Sequence, residues 1–408
     1  MFTETFCIAA LMLLISISLP ALAAVTAFDD DGMITIDGKR TLIIGSYSEA
    51  KSDRPYADLA EAGFNLVHTG TDKDALDKAG AAGLMTWVSV GAIDPQNKEA
   101  TSKSISDAVL KVKDHPALAF IETVDEPAWT WQKADIRVPW QVLADTFAVI
   151  KHADPNHLVY TNHAPTNLVK TLRPYNAGTD IVACDIYPVN PGGLMSMFAL
   201  FPDGYQGDLN NEHISQIGEY VDKMRQVTGP NRPLFMVLQA FAWEALVDEK
   251  GVVERREEKI LYPSYAQSRF MAFQSLIKGA NGIIYWGSHT MPQPSDPWNG
   301  IKRVTREVAD LAAPLAERNA ALKVEIDYHE MGHSVDDGVQ LSAKAHDGKL
   351  YLFTCNADKN LCKATLSGLG DWPTCAVLNE NRTLPVENGA ITDTWGRFDV
   401  HIYQLSKN

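Results

Sequence analysis

Positive charge is scarce in this sequence, and so are long apolar stretches. Its 408 residues include 36 Lys and Arg against 51 Asp and Glu, which gives a net charge of −15. Nucleic-acid-binding proteins need a basic surface, so the composition argues against nucleic acid as a partner. After the first two dozen residues, no stretch is long and apolar enough to span a bilayer. Hydrophobic residues still make up 46% of the chain, which predicts one large globular domain and a small one.

Cysteine is also sparse, and its positions argue against a metal site. Of the five cysteines, Cys7 belongs to the first two dozen residues, and Cys184 lies in an apolar stretch that predicts a buried thiol. Cys355, Cys362 and Cys375 cluster near the C-terminus, but no histidine lies among them, which argues against zinc. Cys355 and Cys362 flank a short polar loop, so an oxidising compartment allows them to pair as a disulfide. We expect neither a metal nor another cofactor.

The first 23 residues differ in kind from the rest. The apolar run CIAALMLLISISLPALA ends in Pro20 and in the small-residue sequence Ala21-Leu22-Ala23, which is typical of a signal-peptide cleavage site. We therefore predict a signal peptide over residues 1–23 and a secreted or periplasmic protein with no membrane contact after cleavage. The preceding MFTETF has no Lys or Arg, so an uncleaved membrane anchor stays as the alternative.

Between residues 24 and 320, short apolar runs alternate with helical patterns. Asp37-Gly38 inside MITIDGKRTLII predicts a hairpin turn at the start. Eight runs then predict strands: TLIIGSY, FNLVHTG, LMTWVSVG, LAFIETVDEP, HLVYTNHAP, DIVACDIYPV, PLFMVLQAFAW and GIIYWGSHT. Strands separated by helices predict an α/β fold of the (β/α)8 TIM-barrel type. A doubly wound open sheet is the rival, but no glycine-rich phosphate loop follows any strand.

Residues 321–408 have a different pattern. Short alternating strands with turn residues between them predict a small antiparallel β-sandwich domain after the barrel. The sequence carries no signal of the oligomeric state.

Polar and aromatic side chains recur where the eight predicted strands end, which is where a barrel of this type carries its active residues. The carboxylates are Asp125, Glu126, Asp185 and Glu244. The other polar groups are His68, Asn162, Gln239 and His289, although the histidines have a structural reading as well. The aromatic side chains are Tyr47, Trp129, Tyr187, Trp243 and Trp286. Because aromatic faces stack on sugar rings and carboxylates act at the anomeric centre, the mixture predicts a carbohydrate substrate.

The segment HPALAFIETVDEP, residues 115–127, resembles the fourth strand of glycoside hydrolases of the (β/α)8 clan A. In that clan the strand ends in Asn-Glu, often followed by Pro, and the Glu is the general acid/base. The segments DIYP, GANGIIYWG and FDVHIYQL also resemble segments found in members of that clan and its relatives. The resemblance implies that Glu126 is the proton donor. Partial desolvation at the end of an apolar strand and the adjacent Asp125 would both raise its pKa.

Two positions depart from the clan pattern. Asp125 stands where the clan has Asn, and Gln239 stands where the nucleophilic Glu of strand seven is expected. A neutral amide cannot attack the anomeric centre, so another group has to complete the site. Glu244 in the following loop and Asp185 on strand six are candidates. Alternatively, an acetamido group of the substrate attacks and Asp125 orients it, as in the β-N-acetylgalactosaminidase family, which also carries a D-E-P motif.

Glu122 lies four residues before Glu126, so strand alternation places both side chains on one face. If Glu126 points into the barrel mouth, Glu122 lies one layer deeper, where burial demands a partner such as an Arg or a Tyr hydroxyl. We expect a structural role for Glu122.

The favoured hypothesis is an exported glycoside hydrolase that cleaves O-glycosidic bonds of an oligo- or polysaccharide. The alternative from another class is a non-catalytic carbohydrate-binding protein that keeps the aromatic rim, and loss of catalysis would explain Gln239. A lyase acting on acidic sugars is a third idea, against which the scarcity of Arg and Lys at the strand ends argues.

Overall fold

The computed structural model describes residues 23–130, 134–191, 198–200, 206–208, 213–247, 255–329 and 335–407. Residues 1–22 of the predicted signal peptide lie outside the described residues. The described chain opens with an antiparallel sheet of β1 (Thr26–Phe28), β2 (Ile34–Ile36) and β3 (Lys39–Arg40). Asp37 and Gly38 between β2 and β3 both have positive φ, as in a type I′ hairpin turn. The hairpin predicted from this dipeptide is confirmed.

Eight parallel strands form a closed barrel. In chain order the next strands are β4 (Ile43–Ser46), β5 (Leu66–Thr69), β6 (Met85–Ser89), β7 (Leu118–Glu122), β8 (Leu158–His163), β9 (Ile181–Ile186), β10 (Phe198–Leu200), β11 (Gln206–Asp208), β12 (Leu234–Gln239) and β13 (Gly282–Trp286). β10 and β11 pair with each other as a hairpin, and the other strands close the barrel in chain order. Every strand predicted from the eight apolar runs is confirmed, and the fold is a TIM barrel.

Helices connect the strands and cover the outside of the barrel. They are α1 (Pro55–Glu61), α2 (Lys73–Ala81), α3 (Lys98–Val112), α4 (Trp140–Ala153), α5 (Val169–Leu172), α6 (Gln216–Thr228), α7 (Tyr265–Ile277), α8 (Asp296–Asp310) and α9 (Ala312–Ala316). α7 begins at a capping box, in which Ser264 and Gln267 each accept the other's backbone N–H. The side chain of Ser295 caps α8 in the same position.

Antiparallel sheets follow the barrel, as the sequence predicts. Their strands are β14 (Glu325–Tyr328), β15 (Val339–His346), β16 (Lys349–Asn356), β17 (Cys362–Ser367), β18 (Thr374–Val377), β19 (Arg382–Leu384), β20 (Ile391–Trp395) and β21 (Val400–Ser406). One sheet has the order β15-β16-β21-β18-β19 and the other the order β14-β17-β20. Leu352 and Leu405 of the first sheet share a core with Leu366 and Trp395 of the second, because alternate residues of each strand face inward.

Alternation along β12 shows how the barrel is layered. Phe235 and Val237 point into the barrel and share a core with Trp87 and Tyr160. Residues 234, 236 and 238 of the same strand belong instead to the core between barrel and helices. Side chains therefore fill the inside of the barrel, so a ligand is admitted only at an end of the strands.

The sheet domain packs directly on the barrel helices. Phe353 and Ile402 of the five-stranded sheet belong to the same core as Phe270 of α7. Beside this core, Arg269 donates to both carboxylate oxygens of Glu307, at 2.8 and 2.7 Å, and to the carbonyl of residue 400 at 2.7 Å. The ion pair of Arg269 and Glu307 joins two barrel helices, and the bond from Arg269 to the carbonyl of residue 400 connects it to the sheet domain.

The disulfide that the sequence allows between Cys355 and Cys362 is not formed. Cys184, Cys355, Cys362 and Cys375 are buried free thiols, so the buried thiol predicted at Cys184 is confirmed. Cys355 packs into the core shared with the barrel, whereas Cys362 packs into the core between the two sheets. The two side chains therefore point into different cores, although a short loop joins their strands.

Candidate active site

A cavity of about 220 Å³ opens at the carboxyl ends of the barrel strands. Nine of the side chains predicted from the strand ends line it: Tyr47, Asp125, Glu126, Trp129, Asn162, Asp185, Tyr187, Trp243 and Trp286. Pro165, Ile186, Val237, Phe241 and Leu246 complete the lining. The parallel strands of a barrel all end at one rim, so residues far apart in sequence meet there.

The turn after β7 holds Glu126 in an unusual backbone conformation. Its φ is +46°, in the left-handed region that residues other than glycine rarely occupy. The Glu126 N–H donates to the carbonyl of Asn162 at 3.0 Å, and its own carbonyl accepts the N–H of Trp129 at 3.0 Å. These bonds hold the turn in place and direct the carboxyl group into the cavity, and backbone strain of this kind is concentrated at functional sites.

Three carboxyl groups meet in this cavity, on Asp125, Glu126 and Asp185. Glu126 and Asp185 are hydrogen-bonded to each other through their side chains. Asn162 donates to Asp125 at 3.0 Å, and Arg137 lies 3.2 Å from Glu126. One oxygen of Asp185 has no hydrogen-bond partner among the described residues. A buried polar atom without a partner in the protein is expected to find one in a ligand, in ordered water or in a shared proton.

Burial of this cluster changes the pKa of all three acids. Burial, with a further contribution from Asp125, raises the pKa of Glu126 to about 7, against the opposing effect of Arg137. Burial and the charges of Glu126 and Asp125 raise the pKa of Asp185 well above its ordinary value. Burial also raises the pKa of Asp125, which is accessible from the cavity although protein surrounds it. Two carboxyl groups in contact keep a proton between them, so the pair can donate a proton near neutral pH.

Aromatic rings form the opposite wall of the cavity. Tyr187 and Trp286 stack with their ring centroids 5.7 Å apart and an interplanar angle of 28°. Phe241 meets both of them edge-on, at 4.9 and 5.0 Å. Trp243 donates its indole N–H to the carbonyl of Tyr187 at 3.1 Å, which fixes its ring. The wall offers fixed aromatic surface to a ligand whose polar groups face the carboxyl cluster.

Glu122 lies beneath this cavity and is 3% exposed. One of its oxygens accepts the indole N–H of Trp87 at 3.1 Å and the hydroxyl of Ser89 at 2.5 Å. The other oxygen accepts the hydroxyl of Tyr47 at 3.4 Å. The deeper position and the tyrosine partner expected from strand alternation are therefore confirmed. Burial raises the pKa of Glu122 to about 7, although these donors oppose the change.

Contrary to expectation, Gln239 does not line the cavity. Its amide N–H groups donate to the carbonyls of Val189 at 2.7 Å and Phe241 at 3.1 Å, and its oxygen accepts the N–H of Val189 at 2.9 Å. The side chain is fully buried and joins the segments that follow β9 and β12. The polar groups of Gln239 are all hydrogen-bonded to the backbone. The residue of β12 that pairs with Asp185 and lines the cavity is Val237 instead.

Glu244 also lies outside the cavity lining, so the nucleophile considered in the following loop is absent from it. One of its oxygens accepts from the backbone N–H and the Nε–H of Arg256, at 2.8 and 2.9 Å. The other oxygen accepts from Nη2 at 2.9 Å. These bonds to Arg256 lower the pKa of Glu244 and hold it as a charged structural group.

The two histidines expected at the rim do not line the cavity either. His68 is hydrogen-bonded to Ser89 at 2.9 Å, and burial lowers the pKa of His68 to about 4. His289 packs edge-on against Trp286 with the ring centroids 5.7 Å apart, and its ring lies 3.4 Å from the hydroxyl of Ser48. Both support neighbours of the cavity, in agreement with the structural reading of these residues.

Arg137 and Phe241 belong to the site but are missing from the sequence prediction. Arg137 lies in the segment between β7 and α4, where no periodic pattern marks it. Phe241 follows β12 by two residues and could have been found from its position after a predicted strand. Within the described ranges, no group of His, Cys, Asp and Glu has an arrangement that would hold a metal ion.

Comparison with known proteins places the fold. No protein-family model matches the sequence, and no curated protein matches it. A family 5 glycoside hydrolase from Bacteroides vulgatus superposes with a TM-score of 0.58 at 11% identity, covering 94% of this chain and 93% of that chain. An α-amylase from Geobacillus thermoleovorans complexed with acarbose gives 0.55 at 9% identity, with coverage of 90% and 99%. A family 30 endoxylanase from Clostridium papyrosolvens gives 0.51 at 12%, with coverage of 90% and 97%.

These likenesses extend over barrel and sheet domain together. The chain therefore has the fold of (β/α)8 glycoside hydrolases, and the resemblance noted in the sequence is confirmed at the level of fold. Since identities near 10% do not carry function, the chemistry has to be argued from the cavity itself. In the described part of the chain, no helix combines the length and apolarity needed to cross a membrane.

Proposed function

We propose that this protein is an exported glycoside hydrolase that cleaves O-glycosidic bonds of an oligo- or polysaccharide, with Glu126 as general acid/base. The observation that carries the proposal is the hydrogen-bonded pair of Glu126 and Asp185 in an aromatic-walled cavity at the carboxyl ends of the barrel strands. The apolar leader ending in Ala21-Leu22-Ala23 supports export to the periplasm or the medium.

The proposed chemistry begins with proton donation to the glycosidic oxygen. With its pKa near 7, Glu126 holds a proton at neutral pH for part of the population and releases it to a leaving group at low cost. Asp185 keeps its own proton more tightly and donates a hydrogen bond to the Glu126 carboxylate once that proton has left. The sugar ring would stack on the wall formed by Tyr187 and Trp286.

The second catalytic group decides between mechanisms, and the geometry favours substrate assistance as a particular form of the proposal. Retaining and inverting glycosidases place a sugar between two carboxyl groups at least about 5 Å apart. Glu126 and Asp185 touch each other and leave no such space. The remaining acid, Asp125, is held by Asn162 beside Glu126 and would orient an acetamido group that attacks the anomeric carbon. An N-acetylhexosaminidase is therefore the second candidate.

Activity against a broad panel of glycans tests the proposal, with N-acetylated and non-acetylated oligosaccharides of the same linkage side by side. We expect Glu126→Gln to lower kcat/KM on a cleaved substrate by about a thousandfold, within the usual range for loss of a general acid. Glu244→Gln is the matched control, since that glutamate also lies near the rim but is bound to Arg256. Its activity should stay within about twofold of the wild type.

Two outcomes would contradict the proposal. Full activity of Glu126→Gln would remove Glu126 from the chemistry. Sugar binding without turnover by the wild type across the panel would select the alternative function, a carbohydrate-binding protein on a glycosidase scaffold. Cleavage of N-acetylated substrates alone would select substrate assistance, because only they carry the attacking group.

A further inference from the structure

A chain of hydrogen bonds lies directly beneath the proposed active site and is not used by the chemistry described above. It begins at His68 on β5, passes through Ser89 on β6 and reaches Glu122 on β7. From Glu122 it continues to Tyr47 just beyond β4 and then to Tyr160 on β8, whose hydroxyl lies 2.9 Å from that of Tyr47. Hydrogen bonds thus connect five adjacent strand segments of the barrel through one buried carboxyl group.

The direction of several of these bonds follows from the chemistry of the donors. The indole of Trp87 has only an N–H, so it must donate to Glu122. The single hydrogen of Ser89 serves the short 2.5 Å bond to the same oxygen, so the ring N–H of His68 must donate to Ser89. That oxygen of Glu122 is therefore a committed acceptor, and only the oxygen that faces Tyr47 can take a different role.

Tyr47 connects this buried chain to the cavity. Tyr47 lines the cavity, and its hydroxyl is shared between Glu122 at 3.4 Å and Tyr160 at 2.9 Å. The ring is also held edge-on against Trp87, with centroids 5.0 Å apart. Since a hydroxyl has one hydrogen, the state of Glu122 decides whether Tyr47 gives that hydrogen to the carboxylate or keeps it for Tyr160 or a ligand.

We propose that Glu122 is a positioning residue that sets the direction of the Tyr47 hydroxyl toward the bound sugar. While Glu122 is charged, Tyr47 donates to it and presents only acceptor lone pairs to the cavity. A sugar hydroxyl that donates a hydrogen bond to Tyr47 is then recognised, and a ring or glycosidic oxygen, which can only accept, is not. The inference rests on the proposed function, because it concerns the ligand of the same cavity.

Among the described groups around Glu122, Tyr47 makes the hydrogen bond whose direction can change. His68 lies 3.9 Å away, and burial lowers its pKa to about 4, so it is neutral near pH 7. Asp125 is the nearest acid above it and adds negative charge, which opposes ionisation of Glu122. Trp87 and Ser89 donate to the same oxygen whichever state Glu122 is in.

A double-mutant cycle separates this role from a merely structural one. In Glu122→Gln, the amide oxygen has to face Trp87 and Ser89, so the NH2 group faces Tyr47 and reverses that bond without a change in size. We expect kcat/KM to fall about three- to tenfold, the usual weight of one hydrogen bond, with most of the change in KM. Tyr47→Phe should cause a similar fall, and adding Glu122→Gln to it should cost less than about twofold more.

Glu307→Gln serves as the control for loss of stability. It also removes a buried carboxylate, but from the ion pair with Arg269 between α7 and α8, away from the cavity. This variant should melt at a lower temperature while KM and kcat stay unchanged, which shows that lowered stability does not itself raise KM.

Independent, multiplicative effects of Glu122→Gln and Tyr47→Phe would overturn the inference, and so would an unchanged KM in Glu122→Gln. If the wild type binds a sugar without cleaving it, the same cycle is measured on the dissociation constant by calorimetry. Turnover with multiplicative variants refutes only the role of Glu122. If the wild type neither cleaves nor binds any sugar of the panel, the proposed function and this inference are refuted together.

Discussion

The two sides of the barrel mouth use their polar side chains in opposite ways. On the side of β7 and β9, Asp125, Glu126 and Asp185 face the cavity, and an oxygen of Asp185 lacks a partner within the described chain. On the side of β12, Gln239 is bound to backbone and Glu244 is bound to Arg256. Gln239 and Asp185 are both buried, so burial does not distinguish the two sides. The two sides differ instead in whether their polar side chains have all their hydrogen-bond partners.

This difference shows why a motif position does not by itself carry a role. A polar group whose hydrogen bonds are complete stabilises the scaffold and has nothing left for a ligand. Polar groups inside a cavity that still lack a hydrogen-bond partner are the ones that a substrate can bind. Under the proposed function, the carboxyl cluster performs the chemistry and the β12 side shapes the mouth of the barrel.

The strongest test of the comparison is Asp185→Asn. The variant keeps the size and the hydrogen-bond donor, but it cannot share a proton with Glu126. We expect kcat/KM to fall by about a hundredfold, as for loss of an acid–base partner. Steady-state kinetics on a cleaved glycan measures this, and thermal melting confirms the fold. Activity within twofold of the wild type would show that the pair with Glu126 is not catalytic.

The dependence of kcat/KM on pH sharpens the same side of the comparison. A general acid acts in its protonated form, so activity should be retained below the pKa of Glu126, about 7, and lost above it. The fall should be about tenfold per pH unit on the alkaline limb. In Asp185→Asn the limb should stay at about the same pH, because the protonated Asp185 of the wild type and the amide of the variant both donate to the Glu126 carboxylate. A shift of more than about one pH unit would contradict the tighter hold of Asp185 on its proton, because it would mean that Asp185 is charged where Glu126 titrates.

The smallest expected effect concerns the β12 side. Gln239→Glu restores a carboxyl group where the clan has its nucleophile, but we expect no gain in activity because the side chain does not reach the cavity. Stability should fall by about 1–3 kcal/mol, since the two carbonyls of residues 189 and 241 lose their donor. Urea unfolding measures the change. Gln267→Glu, a helix-cap position that tolerates either residue, is the control.

If Gln239→Glu raised activity, the β12 side would be part of the chemistry and the comparison would fail. A variant as stable as the wild type would likewise show that the bonds of Gln239 to the backbone do not hold the mouth in shape.

Most of the fold was predictable from the sequence. Apolar runs bounded by turn residues identified all eight barrel strands, because a strand buried on both faces has to be apolar along its length. The helices α2 and α5 have weak sequence patterns, since α2 buries only Leu76 and Ala79 and α5 has four residues. The helix α8 has a clear pattern, because its buried Ile301, Val304 and Val308 show the spacing of a helix face.

The site was predictable only in part. Strand ends meet at one rim in any such barrel, so Glu126, Asp185 and the aromatic wall could be assembled from sequence. The contact between Glu126 and Asp185 could not, because it depends on the left-handed turn at Glu126 and on the register of β9. Arg137 was missed for the same reason, since only the folded segment after β7 brings it to Glu126.

The sequence by itself determined the barrel, the following sheets and the acidic end of the fourth strand, because these depend on local patterns of apolar and turn residues. Tertiary structure alone decided which acids face the cavity and which are consumed elsewhere. Gln239 and Glu244 are as polar as Asp185 in the sequence, and only their partners Val189 and Arg256 remove them from the site. A hydrogen bond between distant residues leaves no local pattern, so the role of such a side chain is settled when the chain has folded.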